Sequence, residues 1–229
     1  MYHKYRADYA PDAIATLIAR TRLTREDDVA DLGAGTGILT RHLVPRARRV
    51  YAIEPADDMR AVAEDSGATL IAGTAEATTL ADRSVDVVVS GNAFHYFDPD
   101  RARDEVARIL RPNGRVAILF HDAPLDPDDF MRDYASFLQR HTPPQLTSVH
   151  SADDHQTRIA RFFRDRPTLT DHGEQEELLT CDRLRGRYLS SSLADENALP
   201  ELRALFDRYQ RDNVVSLRLT WTCISCDSF

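Results

Sequence analysis

The stretch Val29-Ala-Asp-Leu-Gly-Ala-Gly-Thr-Gly-Ile38 limits what this chain can fold into more than any other. A short apolar segment runs into glycines at three alternate positions, Gly33, Gly35 and Gly37, and an amphipathic segment follows. Glycine lacks the Cβ that bars left-handed backbone, so the chain can turn tightly here and touch a ligand. A second strand, Arg49-Val-Tyr-Ala-Ile-Glu54, ends on an acid twenty-one residues after Gly33. This is the pattern of a loop that admits a nucleotide-like ligand, with a carboxylate placed for its ribose hydroxyls. A plain strand-to-helix turn needs one glycine, not three. The dinucleotide spacing G-x-G-x-x-G is not met, because the third glycine comes one residue early and Asp31 stands two residues before Gly33.

Hydrophobic periodicity extends this unit into an α/β chain. Helices are predicted at 11–21, 38–44 (stopped before Pro45), 57–64 and 99–110, and strands at 29–33, 49–54, 68–72, 85–90 and 115–120. Leu110-Arg-Pro-Asn-Gly114 reads as a helix stop and turn. The alternation predicts a doubly wound, mostly parallel seven-stranded Rossmann-like sheet with right-handed crossovers. Beyond residue 122 the pattern changes. Residues 126–140 and 153–163 look helical around a Pro143-Pro144 break, 168–180 is partly strand-like, 197–212 is an amphipathic helix and 214–225 a last strand. The two late strands are expected to form an antiparallel edge, and the helices of 123–165 a cap over the carboxyl ends of the parallel strands. The chain is thus read as one domain, 1–229: a cofactor-binding half (1–122), a substrate cap and edge region (123–192), and a final helix and strand (193–229).

Composition excludes several classes. The 229 residues, 42% hydrophobic and 29% charged, suit one α/β domain with a modest cap. Net charge is −8, and the only lysine is Lys4, so 28 of the 29 basic residues are arginine. They are scattered, which argues against a nucleic-acid partner. Residues 1–10 lack the apolar core of a signal peptide, and no apolar run approaches the roughly 18 residues of a membrane span. The expected setting is cytoplasmic, with a small-molecule substrate and no membrane partner; oligomeric state is left open. Cys223-Ile-Ser-Cys226 has C-x-x-C spacing without a second ligand pair. It is read as two strand cysteines facing the same way or fraying with the terminus, and no metal is expected.

Other segments could carry chemistry. Gly73-Thr-Ala-Glu76 follows the third strand, where the Ala75 N–H or the Glu76 side chain could meet a base edge; the competing reading puts Glu76 in a helix's first turn. Ser90-Gly-Asn-Ala-Phe-His95-Tyr-Phe97 ends the fourth strand, with Gly91 and Asn92 permitting close backbone approach. His95 is the best general-base candidate, since imidazole titrates near neutrality, against a histidine that only packs or hydrogen-bonds. Tyr2, Tyr5, Arg6 and Tyr9 make an aromatic and basic arm, either a disordered end or a cover with Arg6 pairing a carboxylate. His121 and Asp122 are candidates for a pocket rim. Asp153-Asp154-His155 is explained by helix capping after Ser151 more cheaply than by metal binding. His141 and His150 fall around the cap, His3, His42 and His172 read as surface, and Ser190-Ser191-Ser192 lacks nucleophile-elbow glycines.

Together these segments resemble a class I S-adenosylmethionine-dependent methyltransferase of the broad type-11 group. The nearest resemblance is to small-molecule enzymes similar to trans-aconitate and menaquinone-pathway methyltransferases. The motifs that carry it are Tyr5-Arg-Ala-Asp-Tyr9, Asp31-Leu-Gly-Ala-Gly-Thr-Gly37, Ala52-Ile-Glu-Pro55 with Met59, Ala72-Gly-Thr-Ala-Glu76, Ala93-Phe-His-Tyr-Phe97, and Glu105 to Gly114. They span residues 2–122. The resemblance implies S-adenosyl-L-methionine as cofactor, with methionine-tail contacts around Gly33 and with Arg6, ribose contact at Glu54, adenine contacts at Met59, Ala75 and Glu76, and backbone contact near Asn92. The implied cofactor set is Tyr5, Arg6, Asp31, Gly33, Gly35, Gly37, Glu54, Pro55, Met59, Thr74, Ala75, Glu76, Asn92 and Ala93. Asn113 stands where the family usually has glycine, and Ala7 where proline is common. The implied reaction is methyl transfer to an oxygen or nitrogen of a metabolite. The alternatives are a protein using the cofactor for a non-methylating reaction or regulation, and a nicotinamide-dependent oxidoreductase.

Overall fold

The computed structural model describes residues 8–122, 128–141, 152–190 and 195–229. Helix α1 (Pro11–Thr21) starts with a proline, whose missing N–H costs nothing there, and ends at Arg22 in left-handed conformation. Then come β1 (Asp28–Leu32), α2 (Ile38–Leu43), β2 (Arg49–Ile53), α3 (Asp57–Val62), β3 (Thr69–Ile71) and β4 (Val85–Gly91). Helix α4 (Pro99–Ile109) is capped by the Asp98 carboxylate, which accepts from the N–H groups of Asp100 and Arg101. Strand β5 (Leu110–Asp122), helices α5 (Asp129–His141) and α6 (Ala152–Phe163), β6 (Leu169–Leu179), α7 (Cys181–Leu189), α8 (Leu199–Tyr209) and β7 (Val215–Cys226) follow.

The seven strands form one mixed sheet in the order β3-β2-β1-β4-β5-β7-β6. The first five pair in parallel, with Val29 of β1 opposite Val50 of β2 on one side and Val87 of β4 on the other. Strand β7 runs against its neighbours. The Phe229 N–H beyond its end reaches the Gly114 carbonyl near the start of β5 (3.1 Å), and the pairs His172–Thr222 and Glu176–Ser216 climb β6 while descending β7. Edge strand β6 carries Asp171, Glu174, Glu176 and Glu177, charges that discourage pairing with another chain. Strand order reverses between β1 and β4, so the loops leaving these two strands meet at a topological switch point, where such sheets bind ligands.

Two compact units divide the chain. The first comprises residues 9–121, 152–173 and 221–229. Its sheet is covered on both faces, which is why β1 is buried at every position. Strand alternation sends Val88 into a cluster with Phe94, Phe97, Val106, Ile109, Phe162 and Phe163, and sends Val87 and Val89 into another with Leu17, Leu43 and Trp221. At the amino ends of the strands, Asp28 receives Arg48 and Arg111, the latter at 3.0 Å. Arg111 also reaches Asp86 at 2.6 Å, and Arg115 reaches Asp27 at 2.5 Å. The second unit comprises residues 1–8, 122–151 and 174–220, and its core is built from Phe130, Tyr134, Phe137, Leu184, Leu202, Phe206 and Leu217.

Several sequence expectations need correction. Helix α6 does not cap the strand ends; it lies against α4, with Arg161 and Arg164 on Asp100 and Phe162 and Phe163 in the sheet's own core. Residues 110–114 are not a turn between elements but an irregularity inside β5: Val85 pairs with Leu110 and Val87 with Arg115, and Asn113 takes the left-handed conformation (φ 64°). Pro45 does not end the α2 region; it sits inside a 3-10 turn, Val44–Arg46. Helix α7 was not predicted. Cys223 and Cys226 face opposite sides of the sheet, one in each core cluster, since three residues along a strand reverse the side chain. The chain's end does not fray: the Phe229 ring packs on Phe162 (5.1 Å) and Phe163 (6.0 Å) beneath the Arg103 guanidinium.

Candidate active site

The loop after β1 is stitched to the end of β2. Gly33 and Ala34 N–H groups both donate to the Ile53 carbonyl (2.9 and 3.0 Å), and Gly33, Gly35 and Gly37 all take left-handed backbone (φ 67°, 56° and 78°). At Gly33 a Cβ would lie 2.5 Å from the Ala93 Cβ and 3.4 Å from the Phe97 ring, so only glycine lets this loop pack on the segment leaving β4. A Cβ at Gly35 would meet only the Met59 sulfur, at 3.9 Å. Backbone is therefore accessible at the middle of the loop, and Met59 lies beside it.

Glu54 leaves β2 with its carboxylate turned back to the loop. One oxygen accepts from the Gly35 N–H (2.9 Å) and the other from the Ala56 N–H (3.0 Å). The side chain is half-buried, and Pro55 beyond it is exposed. Asp31, one strand away, is 1% exposed. One of its oxygens accepts from the Thr40 hydroxyl (2.6 Å), and the other has no hydrogen-bond partner among the described residues. Burial pushes its carboxyl up to about 7, the Thr40 hydrogen bond opposes the shift, and the Glu54 charge adds to it.

Residues 74–77 form a two-residue turn closed by reciprocal Thr74–Ala77 backbone bonds of 3.2 Å, so Glu76 is not in a helix's first turn. Ala75 is buried in the turn, and a Glu76 carboxylate oxygen accepts from the Asp98 N–H (2.8 Å). Behind the turn, Glu105 accepts from the Thr78 N–H and hydroxyl (2.7 and 2.5 Å). Arg108 and these bonds hold the Glu105 carboxyl down to about 2.

At the end of β4, Asn92 takes left-handed backbone (φ 52°) and its side-chain oxygen accepts from the His121 N–H (2.8 Å). Gly91 has no room for a Cβ because the buried Tyr9 hydroxyl lies against it, and the Tyr9 ring stands 4.8 Å from that of His121. A 3-10 turn, Phe94–Tyr96, presents a half-buried His95. Its ring lies 4.0 Å from Tyr96 and 6.0 Å from His155 of α6. The structure therefore brings together Asp31, the three glycines, Glu54, Met59, the 74–76 turn, Asn92, Ala93 and His95, all within the first unit. Tyr2, Tyr5, Arg6, His3 and His150 lie outside the described residues. His141 pairs with Glu201 (2.8 Å) in the second unit, and His172 with Thr222. Sequence reasoning missed His155 as part of this surroundings. Its one signal was that Arg158, three residues on and so on the same helix face, returns to the Phe97 carbonyl. Among the described residues, no three His, Cys, Asp or Glu side chains stand where they could hold a metal ion.

Residues 30–118 match the family described as a methyltransferase domain. This segment is a methyltransferase domain. An uncharacterized methyltransferase of Mycobacterium tuberculosis is 43% identical to the chain over 124 residues, 52% of this chain and 49% of that protein. The chain spans about half the length of the first curated relatives it matches. A putative type II methyltransferase from Anaeromyxobacter dehalogenans has the same fold across 98% of both chains, at 24% identity and a TM-score of 0.71. A phosphoethanolamine N-methyltransferase from Haemonchus contortus, solved with S-adenosylhomocysteine, superposes with a TM-score of 0.53 at 18% identity, covering 95% of this chain and 52% of that one. The glycine loop and Glu54 of the methyltransferase domain fit a ribose-bearing cofactor with a cationic end. There is open backbone at Gly35, a carboxylate fixed by two N–H groups, and a buried Asp31 oxygen still short of a partner.

Proposed function

We propose that this chain transfers a methyl group from S-adenosylmethionine to an oxygen or nitrogen of a small-molecule acceptor. The observation that carries the reading is the Glu54 carboxylate, held by the Gly35 and Ala56 N–H groups beside three left-handed glycines at the switch point. S-adenosylmethionine, when bound, supplies a methyl group already activated on a cationic sulfur. The residues that would hold it are Glu54 for the ribose hydroxyls and the loop at Gly33, Gly35 and Gly37 with Asp31, Tyr5 and Arg6 for the amino-acid tail. Pro55, Met59, Thr74, Ala75 and Glu76 would flank the base, and Asn92 and Ala93 would face the tail side. Most of the work left to the chain is then positioning. His95 is the candidate to orient the acceptor or take its proton.

The scattered arginines and the net charge of −8 support a small acceptor over a nucleic acid. A cytoplasmic setting is part of this reading, supported by three free thiols, Cys181, Cys223 and Cys226. No helix among the described residues is long and apolar enough to cross a membrane. We treat residues 1–229 as a single methyltransferase domain with its acceptor-side residues drawn from 123–192.

Calorimetric titration with S-adenosylhomocysteine tests the cofactor. Binding is expected, and Glu54→Gln should weaken it about 10–100-fold, the loss of one or two charge-assisted hydrogen bonds. Tighter binding of a nicotinamide dinucleotide would overturn the reading. Product mass after incubation with labelled methyl donor then separates transfer, a gain of one methyl, from a non-methylating use.

A further inference from the structure

The aromatic cluster at the carboxyl ends of β4 and β5 contains one polar atom that the fold leaves unused. His155 stacks on Phe120 (5.5 Å, 28° between planes) and lies nearly parallel to His95 (6.0 Å, 24°). Its Nε2 is shielded from solvent and has no hydrogen-bond partner among the described residues. A buried imidazole nitrogen left unsatisfied costs about 1–3 kcal/mol, so it needs an explanation where it occurs. Beside it, Tyr96 is 72% exposed, an unusual place for a large ring, and stands 4.0 Å from His95. The cluster is continuous with the cofactor loop. Phe120 meets Phe94 edge-on (6.3 Å), Phe94 meets Phe97 (5.7 Å), and Phe97 lies 3.4 Å from where a Gly33 Cβ would stand.

We infer that His155 and Tyr96 bind the acceptor, and that the acceptor is a planar aromatic compound bearing a hydroxyl group. The inference rests on the methyltransferase reading above and names the substrate class for the same site. Aromatic rings favour offset or edge contacts worth about 0.5–1.5 kcal/mol, and the exposed face of Tyr96 offers one. A hydroxyl both donates and accepts, so it satisfies Nε2 in either neutral tautomer. A carboxylate is the poorer match, because the nearby arginines of α6 are engaged: Arg158 by the Phe97 carbonyl, Arg161 and Arg164 by Asp100. His155 is thus a positioning residue that selects and orients the acceptor hydroxyl.

Calorimetry on the full chain saturated with S-adenosylhomocysteine tests this without turnover. The probes are 4-hydroxybenzamide, 4-methoxybenzamide and 4-hydroxycyclohexanecarboxamide. The hydroxyl aromatic should bind about tenfold tighter than either analogue, the size of one hydrogen bond or one stacking contact. His155→Phe, which keeps the stack, should erase the preference for hydroxyl over methoxy, and His155→Gln should restore part of it. Tyr96→Leu, at an exposed position, should narrow the preference for the aromatic over the cyclohexyl probe. S-adenosylhomocysteine affinity should stay within about twofold throughout, since neither side chain touches the loop. Equal binding of the three probes, no binding of any, or a hydroxyl preference that survives His155→Phe overturns the inference. Failure to bind S-adenosylhomocysteine overturns the methyltransferase reading instead.

Discussion

Asp31→Asn should make the protein more stable above neutral pH, although it removes a buried hydrogen-bonding carboxylate from the heart of the fold. Asp31 is 1% exposed, and burial lifts its carboxyl from 3.8 to about 7. In the unfolded chain the group ionises near 3.8, so between that pH and 7 the native state holds the extra proton. Native stability therefore falls as pH rises through this window, by about 1.4 kcal/mol per unit, and levels off above 7. The accumulated loss is about 4 kcal/mol at pH 8 and under about 2 kcal/mol at pH 5. Asparagine escapes this loss. Its oxygen still accepts from Thr40, while its NH2 replaces an oxygen that has no partner, at about 1–3 kcal/mol. The variant should thus be near wild type at pH 5 and more stable at pH 8, the difference between them shifting by about 3 kcal/mol. Urea unfolding at both pH values reads this as a relative midpoint shift of about 1 M. A midpoint difference that is the same at pH 5 and pH 8 would refute the assignment of a near-neutral carboxyl to Asp31.

Three further outcomes are expected. Gly33→Ala combines left-handed backbone with a 2.5 Å approach to the Ala93 Cβ, and should cost about 3 kcal/mol in urea unfolding; a loss under about 1 kcal/mol contradicts the packing described. Glu105→Gln removes the charge that anchors Thr78 and Arg108, and should cost about 1–3 kcal/mol at pH 7. Because the wild-type carboxyl is depressed to about 2, that advantage is present above about 4.5 and must shrink as pH falls toward 2; an undiminished gap at pH 3 would count against it. Iodoacetamide at pH 8 should label half-buried Cys181 in the folded protein, whereas Cys226 is buried and Cys223 is both buried and pushed up to about 12, so both should react only in denaturant. Mass spectrometry of the native sample showing modified Cys223 would be incompatible with its position in the core.

What the sequence made legible was local. The glycine loop and Glu54 sit on consecutive strand–helix units, where spacing alone fixes which side chains meet. The alternation up to residue 122 likewise determined the parallel half of the sheet. Features set by long-range returns were not legible. His155 reaches the site only because α6 comes back to pack on α4, a contact that no periodicity in residues 152–163 announces. Helix α7 hid behind its own composition: Gly186 in mid-segment and four charges in nine residues read as loop, whereas burial of Leu184, Gly186 and Tyr188 and the Thr180 cap hold it helical. Pro112-Asn113-Gly114 has the chemistry of a turn, and it does turn; pairing of Leu110 with Val85 makes it an irregularity within a strand.

The guanidinium bridges at the amino ends of the strands have a consequence for the opposite end. Arg111 clasps Asp28 and Asp86, which lie at the starts of neighbouring β1 and β4, and Arg48 holds Asp28 from the β2 side. Three strands are thereby clamped in alignment from below, independently of the loops that leave them above. Those loops can be lengthened, shortened or exchanged without the strands slipping past one another. An engineer wishing to change what the protein accepts could graft new segments after β4 or β5 and leave the clamp to keep the glycine loop and Glu54 in step.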